Sequence, residues 1–287
     1  IGVTGRTLHL RLNDLRQSLR RADLMPWADP LPEAPALWCW WKEWISGQKE
    51  EEQASLTGEG ISAAPPAVPA DHAFGDEEGE QDALPEGAGP VMLECSAAPL
   101  DASAAGRKAM EAYLLYRYRQ ERGESPLCNF GRFHPRYRKS TIRREGLRGG
   151  KLAEDQQDNP AGFPGIGPLE IIGKPGDRDW MGLEWTGPEP LVPEHTAGVP
   201  PGAGLYLLTD AGLQEIVYIG QSADVAKRLA DSGRKTQEGR ALQFSYQIIG
   251  QSVVPHNLRE LEADLIGNYF EHFRKAPEFQ FKNLTGL

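Results

Sequence analysis

Residues 204–220 read GLYLLTDAGLQEIVYIG and contain two apolar runs separated by a turn. Each run is short and carries a tyrosine among aliphatic residues, Tyr206 in the first run and Tyr218 in the second. Two such runs joined by a stretch with turn residues, here Thr209–Gly212, are typical of an antiparallel β-hairpin. The segment therefore predicts two paired strands at the start of the last domain.

A helix is predicted soon after this hairpin. Ser222 is a favourable N-cap, and Val225 and Leu229 lie at helical spacing and would face the sheet. Arg228 would then stand beside that apolar face. Alternating apolar and polar residues over 242–249 predict one further strand.

A second, longer helix is predicted over 255–274, and it places a carboxylate on its apolar face. Glu262 follows Leu258 by four residues and precedes Leu265 by three, so all three share one side. A carboxylate facing the core needs a cation or hydrogen bonds. An ion pair with Arg228 would satisfy it, and so would a bound metal ion. The other glutamates of this helix should point to solvent, namely Glu260 and Glu271.

Taken in order, these residues resemble the signature of the GIY-YIG nuclease family. The triplets 204–206 and 218–220 are similar to its two halves, with Leu in place of the first Ile. Arg228 stands where the family has its catalytic arginine, Glu262 lies in a run similar to its glutamate-bearing helix, and Asn283 matches its final asparagine. The resemblance covers residues 202–284.

The resemblance implies an α+β fold with a small mixed β-sheet flanked by helices, and a metal-dependent endonuclease that cuts DNA, with RNA not excluded. It implies that Glu262 holds one divalent cation, Mg²⁺ or Mn²⁺. Tyr206 would act as general base on the attacking water, and Tyr218 would support the proton path or orient the phosphate. Arg228 would stabilise the transition state, and Asn283 would fix the geometry of the site.

Two positions depart from the family pattern. Ser232 stands four residues after the arginine, where several members carry histidine or tyrosine, and Gln221 stands where a lysine is common. His256 and His272 could substitute for them, or could be surface or capping histidines. A second class of function therefore stays open, a catalytically weak or inactive DNA- or RNA-binding module that keeps the fold.

The net charge of −10 is distributed unevenly along the chain. Residues 50–94 hold twelve acidic residues and no basic one, whereas residues 107–151 hold thirteen basic and four acidic residues. The Gly-, Ala-, Pro- and acid-rich stretch 48–96 cannot bury enough apolar surface to fold, so we interpret it as an acidic disordered linker. Residues 202–284 are close to neutral, so affinity for nucleic acid should come largely from the basic stretch.

Residues 97–165 are interpreted as a basic helix-plus-loop region that binds nucleic acid. A helix is predicted over 101–122, with an apolar face of Met110, Tyr113, Leu114 and Tyr118. Aromatic residues alternate with cations in 128–151, where guanidinium groups could bind phosphate and rings could stack on bases. A solvated loop anchored by its aromatic residues is the alternative. The candidate phosphate contacts are Arg132, Arg136, Arg138, Lys139, Arg143, Arg144, Arg148 and Lys151.

The other segments give weaker indications. Residues 1–47 are interpreted as an N-terminal helical segment, with an amphipathic helix over 7–24. Residues 166–201 are interpreted as an accessory β extension with strands near 169–172 and 181–186, which leads into the nuclease-like domain 202–287.

Cysteine use and hydropathy predict a cytoplasmic protein without a membrane segment. Cys39, Cys95 and Cys128 lie far apart and match no zinc-ligand spacing, which suits a reducing compartment. Cys128 and His134 could form half of a metal site, but no second pair stands nearby. No run approaches the ~18 consecutive apolar residues of a spanning helix.

Overall fold

A computed structural model describes residues 1–2, 96–127, 129–130, 165–234, 240–250 and 252–281, and the backbone of 137–139 and 149–151. The chain divides into two compact units, Ile1–Trp38 with Pro99–Leu287, and Cys39–Ala98. The predicted helix over 7–24 lies outside the described residues, as does the predicted linker over 48–96 except for Ser96.

The described residues form an α+β fold. The helices are α1 (Ala104–Arg122), α2 (Pro193–Thr196), α3 (Val225–Gly233) and α4 (Pro255–Phe273), and a 3₁₀ turn covers Trp180–Gly182. The strands are β1 (Tyr137–Lys139), β2 (Gly149–Lys151), β3 (Glu189–Pro190), β4 (Gly204–Asp210), β5 (Glu215–Ser222) and β6 (Leu242–Ile248). β1 and β2 pair with each other, and the remaining strands form one sheet in the order β3-β6-β4-β5.

Every neighbouring pair of described strands runs antiparallel, so the expectation of a mixed sheet is wrong. The reason lies in the connection from β5 to β6. Both strands run antiparallel to β4 and hence in the same direction, but the chain crosses to the other side of β4 between them. The two strands that could have formed a parallel pair are therefore separated by the central strand.

The predicted hairpin and the predicted strand over 242–249 are confirmed. β4 and β5 pair from Gly204 with Ser222 to Asp210 with Glu215, with a bulge near Thr209. The carboxylate of Asp210 closes the turn by accepting the N–H groups of Gly212 and Leu213, at 2.8 and 3.0 Å.

The two faces of the sheet carry separate cores, as the alternation of side chains along a strand requires. One face packs against α3, whose Val225 and Leu229 are fully buried as predicted. The other face packs against α4 and α1. The predicted N-cap of α3 is wrong by two residues, because Ser222 still belongs to β5 and the Asp224 carboxylate caps the helix by accepting the N–H of Lys227 at 3.0 Å.

Helix α1 packs directly on α4, close to Gly267. A Cβ atom added at Gly267 would lie 2.2 Å from the Cβ of Tyr116, so glycine permits the close approach of the two helices. The predicted helix over 101–122 is confirmed, but its predicted buried face is wrong. Leu114 of that face is exposed, and the residues that are buried are Ala109, Ala112, Leu115, Tyr116 and Arg119.

The buried Arg119 explains why this helix faces α4 as it does. Its Nε and Nη2 atoms donate to the two carboxylate oxygens of Asp264, at 2.8 and 3.0 Å. Its Nη1 lies 3.7 Å from the carboxylate of Glu260, and it also donates to Ser125 Oγ. The expectation that Glu260 points to solvent is thus wrong, because a fully buried cation and the backbone N–H of Ile166 hold its carboxylate inside. Glu271 is only partly exposed and accepts the hydroxyl of Tyr116.

The strands predicted near 169–172 and 181–186 are wrong. Residues 165–172 form no strand pairing and instead satisfy the Arg119 network through the carbonyls of Ile166 and Gly167. Trp180 and Trp185 do pack against the sheet core, and their indole N–H groups donate to Asn268 and to a backbone carbonyl. Aromatic packing and single hydrogen bonds hold the residues around Trp180 and Trp185 in place, rather than the repeated backbone hydrogen bonds of paired strands.

No helix among the described residues is long and apolar enough to cross a membrane.

Candidate active site

Tyr206 and Tyr218 lie on the sheet face that packs against α3. Tyr206 is 1% exposed, Tyr218 is half-buried, and their ring centroids stand 5.9 Å apart. The hairpin register places Gly220 directly opposite Tyr206. The two tyrosines of the signature are thus neighbours on one surface.

Gly220 leaves the space that both rings occupy. A Cβ atom at this position would lie 2.5 Å from Cζ of Tyr206 and 2.6 Å from Cε1 of Tyr218. Any other residue would push the tyrosines away, and the last glycine of the signature is therefore a steric requirement of this arrangement.

Arg228 reaches the tyrosine pair from α3. Its Nε donates a hydrogen bond of 2.9 Å to the hydroxyl of Tyr206. The helix is fixed against the sheet by Val225 and Leu229, which flank Arg228 at helical spacing. The predicted position of Arg228 beside the apolar face is confirmed.

Burial raises the pKa of Tyr206 well above its ordinary value of 10.0, and a negative charge on Tyr218 would raise it further. The hydrogen bond and positive charge of Arg228 lower it only in part. Arg228 alone therefore does not bring the pKa of Tyr206 toward neutrality. Tyr206 keeps its proton at neutral pH.

Glu262 is a half-buried carboxylate on α4. Burial raises its pKa to about 7, against the opposing effects of Arg259 and then Arg228. No hydrogen bond or ion pair within 4.0 Å joins Glu262 to any described residue, and the guanidinium of Arg228 is directed to Tyr206. The ion pair with Arg228, one of the two sequence-based alternatives, is therefore absent from the described part of the chain.

Glu262 is the carboxylate that would hold a divalent cation. Mg²⁺ keeps several water ligands and binds proteins through one or two carboxylates, so a single available carboxylate suffices. Within the described ranges no group of three His, Cys, Asp or Glu side chains surrounds a common point. Glu262 would thus be the main protein ligand among these residues.

Arg259 is a neighbour of Glu262 that the sequence interpretation did not include in the candidate site. It lies one turn before Glu262, and its Nη1 donates to the carbonyl of Phe130 at 2.8 Å. It is also the cation with the largest effect on the pKa of Glu262. The i,i+3 spacing of the two residues on a predicted helix was the available signal.

His272, one of the two histidines considered as substitutes, is engaged within its own helix. His272 contacts the carbonyl of Asn268 and stands about 15 Å along α4 from Glu262, at 1.5 Å per helical residue. His256 and Ser232 are buried.

Several predicted site residues lie outside the described part of the chain. They are Asn283, Cys128, His134, Arg132, Arg136, Arg143, Arg144 and Arg148. Arg138 and Lys139 fall on β1 and Lys151 on β2, where the backbone alone is described. Of the five predicted catalytic residues, the structure brings Tyr206, Tyr218, Arg228 and Glu262 into one region. No protein-family model, no curated protein and no solved structure matches the chain.

Proposed function

We propose that the protein is a metal-dependent endonuclease of the GIY-YIG type that hydrolyses phosphodiester bonds in DNA. The hydrogen bond from Arg228 to Tyr206 carries the proposal, together with Glu262, whose carboxylate lies within electrostatic reach of Arg228 and has no partner among the described residues. A carboxylate with a raised pKa that has no hydrogen-bond or ion-pair partner in the described part of the chain costs stability there, and such groups cluster at functional sites.

Arg228 would act on the phosphate. Its Nε donates to Tyr206, and Tyr218 is also within its electrostatic reach. Guanidinium N–H groups match phosphate oxygens in geometry, and fixed positive charge lowers the energy of the phosphorane-like transition state.

Tyr206 would orient the attacking water through its hydroxyl and accept a proton from it, while Tyr218 orients the phosphate. Because burial keeps Tyr206 protonated in the free protein, this role requires more positive charge than Arg228 provides. Mg²⁺ or Mn²⁺ held by Glu262 would supply that charge and stabilise the leaving 3′ oxygen. Asn283 is proposed as the residue that fixes this geometry.

The proposed DNA contacts come from the basic stretch 107–151, and the described residues on either side of 131–164 support that assignment. The carbonyl of Phe130 accepts a hydrogen bond from Arg259, and the N–H of Ile166 donates to the carboxylate of Glu260 at 2.8 Å. Both flanks of residues 131–164 are thus held on α4 within one turn of Glu262. A phosphate backbone bound by this segment would run close to the candidate active site.

Substituting the cations of the basic stretch should weaken DNA binding regardless of sequence. We expect the variant with Arg138, Lys139, Arg143 and Arg144 all changed to Gln to lose affinity. The slope of the logarithm of the binding constant against the logarithm of the salt concentration should also become shallower by up to about four, at ~0.9 per lost phosphate contact. Fluorescence anisotropy with labelled duplexes between low and physiological salt measures both quantities. An unchanged slope would show that these residues do not contact phosphate. Lys174→Gln, at an exposed position outside the basic stretch, serves as the control.

Tyr206→Phe should reduce cleavage while the fold is kept. We expect a loss of roughly 10²–10⁴-fold, the usual contribution of a general base, measured on plasmid and branched DNA with Mg²⁺. Tyr246→Phe is the matched control, because Tyr246 pairs directly opposite Tyr206 on β6. Equal cleavage by the Tyr206 variant would exclude the assigned role. Absence of cleavage by the wild type on every substrate would favour the binding module.

A further inference from the structure

The turn that follows α4, residues 277–280, lies against the outer edge of β5. β5 is the last strand of the sheet in the order β3-β6-β4-β5, so β4 is its one neighbour among the described strands. The N–H of Phe279 donates to the carbonyl of Val217 at 2.8 Å. The N–H of Gln280 donates to the carbonyl of Pro277 at 3.0 Å, which folds this segment into a turn instead of a further strand.

Gln280 continues the contact with its side chain. It is 4% exposed, and its Oε1 accepts the N–H of Ile219 at 3.0 Å. Ile219 is fully buried, and a buried N–H without an acceptor destabilises the fold. Because the backbone turns at this point, the side chain supplies the acceptor that a paired strand would supply from its backbone.

The two bonded positions of β5 enclose Tyr218. Side chains alternate between the two faces of a strand, so Ile219 packs into the core under α4 while Tyr218 lies on the face that carries Tyr206. The ring centroids of the two tyrosines stand 5.9 Å apart, and Tyr218 is also within electrostatic reach of Arg228. A shift of the backbone at Ile219 would therefore move a ring of the candidate active site.

The turn has other anchors besides this amide. Phe279 packs against the core that contains Tyr206, and Phe281 packs against the core on the opposite face. Arg240 donates to the carboxylate of Glu278 at 2.7 Å, and its guanidinium stands 5.4 Å from the ring of Phe279. Removing the amide of Gln280 should therefore leave the turn in place and break only its bond to the edge of β5.

We propose that Gln280 is a positioning residue of the candidate active site, which holds Tyr218 beside Tyr206 through the backbone of Ile219. The role in catalysis rests on the proposed endonuclease function, because it requires that the two tyrosines take part in the reaction. Gln280 acts through the strand and contacts no substrate, so its loss should lower kcat and leave KM unchanged. A misplacement of 1 Å can lower a rate by about 10²-fold.

Gln280→Met tests the position of the tyrosines directly, since it keeps the length of the side chain and removes the acceptor. The measurement is NMR of the full chain with labelled tyrosine, with ring signals assigned from Tyr206→Phe and Tyr218→Phe. We expect both ring signals to move, and the N–H of Ile219 to exchange with solvent at least about tenfold faster. Gln280→Asn, which is one methylene shorter, should give the same changes and serves as the second variant if Gln280→Met does not fold.

Cleavage of plasmid DNA with Mg²⁺ supplies the second readout. We expect kcat of the Gln280 variants to fall by about 10- to 10²-fold at an unchanged KM. Glu278→Gln is the matched control, because Glu278 lies in the same turn and contacts Arg240, and it should keep the tyrosine signals and kcat of the wild type.

Three results would contradict the proposal. They are unmoved tyrosine signals in a folded Gln280 variant, equal shifts in Glu278→Gln, and an unchanged kcat in a variant whose signals move. The first two would show that Gln280 only closes the edge of the sheet. The NMR signals do not depend on cleavage, so a wild type that cuts no DNA would contradict the proposed function while the signals still decide whether Gln280 positions Tyr218.

Discussion

Glu262→Gln is expected to lose more than about 10³-fold in DNA cleavage, since a metal-bound carboxylate supports several kcal/mol of transition-state stabilisation. The substitution keeps the size of the side chain and removes the charge that would hold the cation. Plasmid cleavage over a Mg²⁺ titration measures the loss. Glu271→Gln on the same helix is the matched control, because its carboxylate is partly exposed and hydrogen-bonded to Tyr116. Cleavage by Glu262→Gln at the wild-type rate would contradict the proposal that Glu262 holds the divalent cation.

The same substitution should make the metal-free protein more stable. The pKa of Glu262 is raised from 4.5 to about 7 in the folded chain, so the unfolded chain loses its proton first as pH rises. The free energy of unfolding of the wild type therefore falls between pH 4.5 and 7 and stays lower above pH 7. At 1.36 kcal/mol per pKa unit, Glu262→Gln should gain up to about 3 kcal/mol at pH 8 and little at pH 4.5.

Urea unfolding in the presence of a chelator at both pH values checks this gain. Adding Mg²⁺ should then stabilise the wild type more than the variant, since a ligand that binds only the folded state shifts unfolding by mass action. A stability difference that is the same at both pH values would show that the carboxylate is not desolvated.

Arg119→Met is expected to have the largest effect on stability, a loss of about 3–5 kcal/mol. Removing the guanidinium leaves the buried carboxylates of Asp264 and Glu260 without their cation. Two backbone carbonyls of residues 166–167 also lose their donor. The free energy of unfolding from urea titrations measures the loss.

Arg117→Met is the control on the same helix. Its guanidinium is 47% exposed and pairs with Glu121 at 3.3 Å, so its loss should cost no more than about 1 kcal/mol. Replacing all three buried charges, Arg119→Met with Glu260→Met and Asp264→Leu, should recover part of the loss. Equal stability of the two single variants would mean that the buried ion cluster contributes nothing.

Local pattern was sufficient to predict the hairpin and the long helix. The tyrosine-bearing runs of 204–220 pair with each other, and the helix predicted over 255–274 begins at Pro255 and ends at Phe273. In these elements the deciding information lies within the element or in the adjacent turn. The resemblance singled out Tyr206 and Arg228, and their side chains share a hydrogen bond in the structure.

The predictions that the structure contradicts share a different cause. They concern residues whose position depends on partners far away in the sequence. Arg119 is buried because Asp264, 145 positions away, accepts its hydrogen bonds, and no local pattern of α1 indicates this. Glu260 is buried for the same reason. The apolar spacing near 169–172 suggested a strand, yet the backbone there is used by side chains of α1 and α4.

Helix α4 carries carboxylates on two different sides, and this limits how the chain can be shortened. Glu260 and Asp264 face α1 and the residues near 166, whereas Glu262 has no partner among the described residues and lies within electrostatic reach of Arg259 and Arg228. A fragment beginning at residue 202 would keep every signature position of the hairpin and helices but would leave two carboxylates exposed on an uncovered apolar surface. The smallest piece able to hold Glu262 in place therefore begins before Ala104, well upstream of the signature itself.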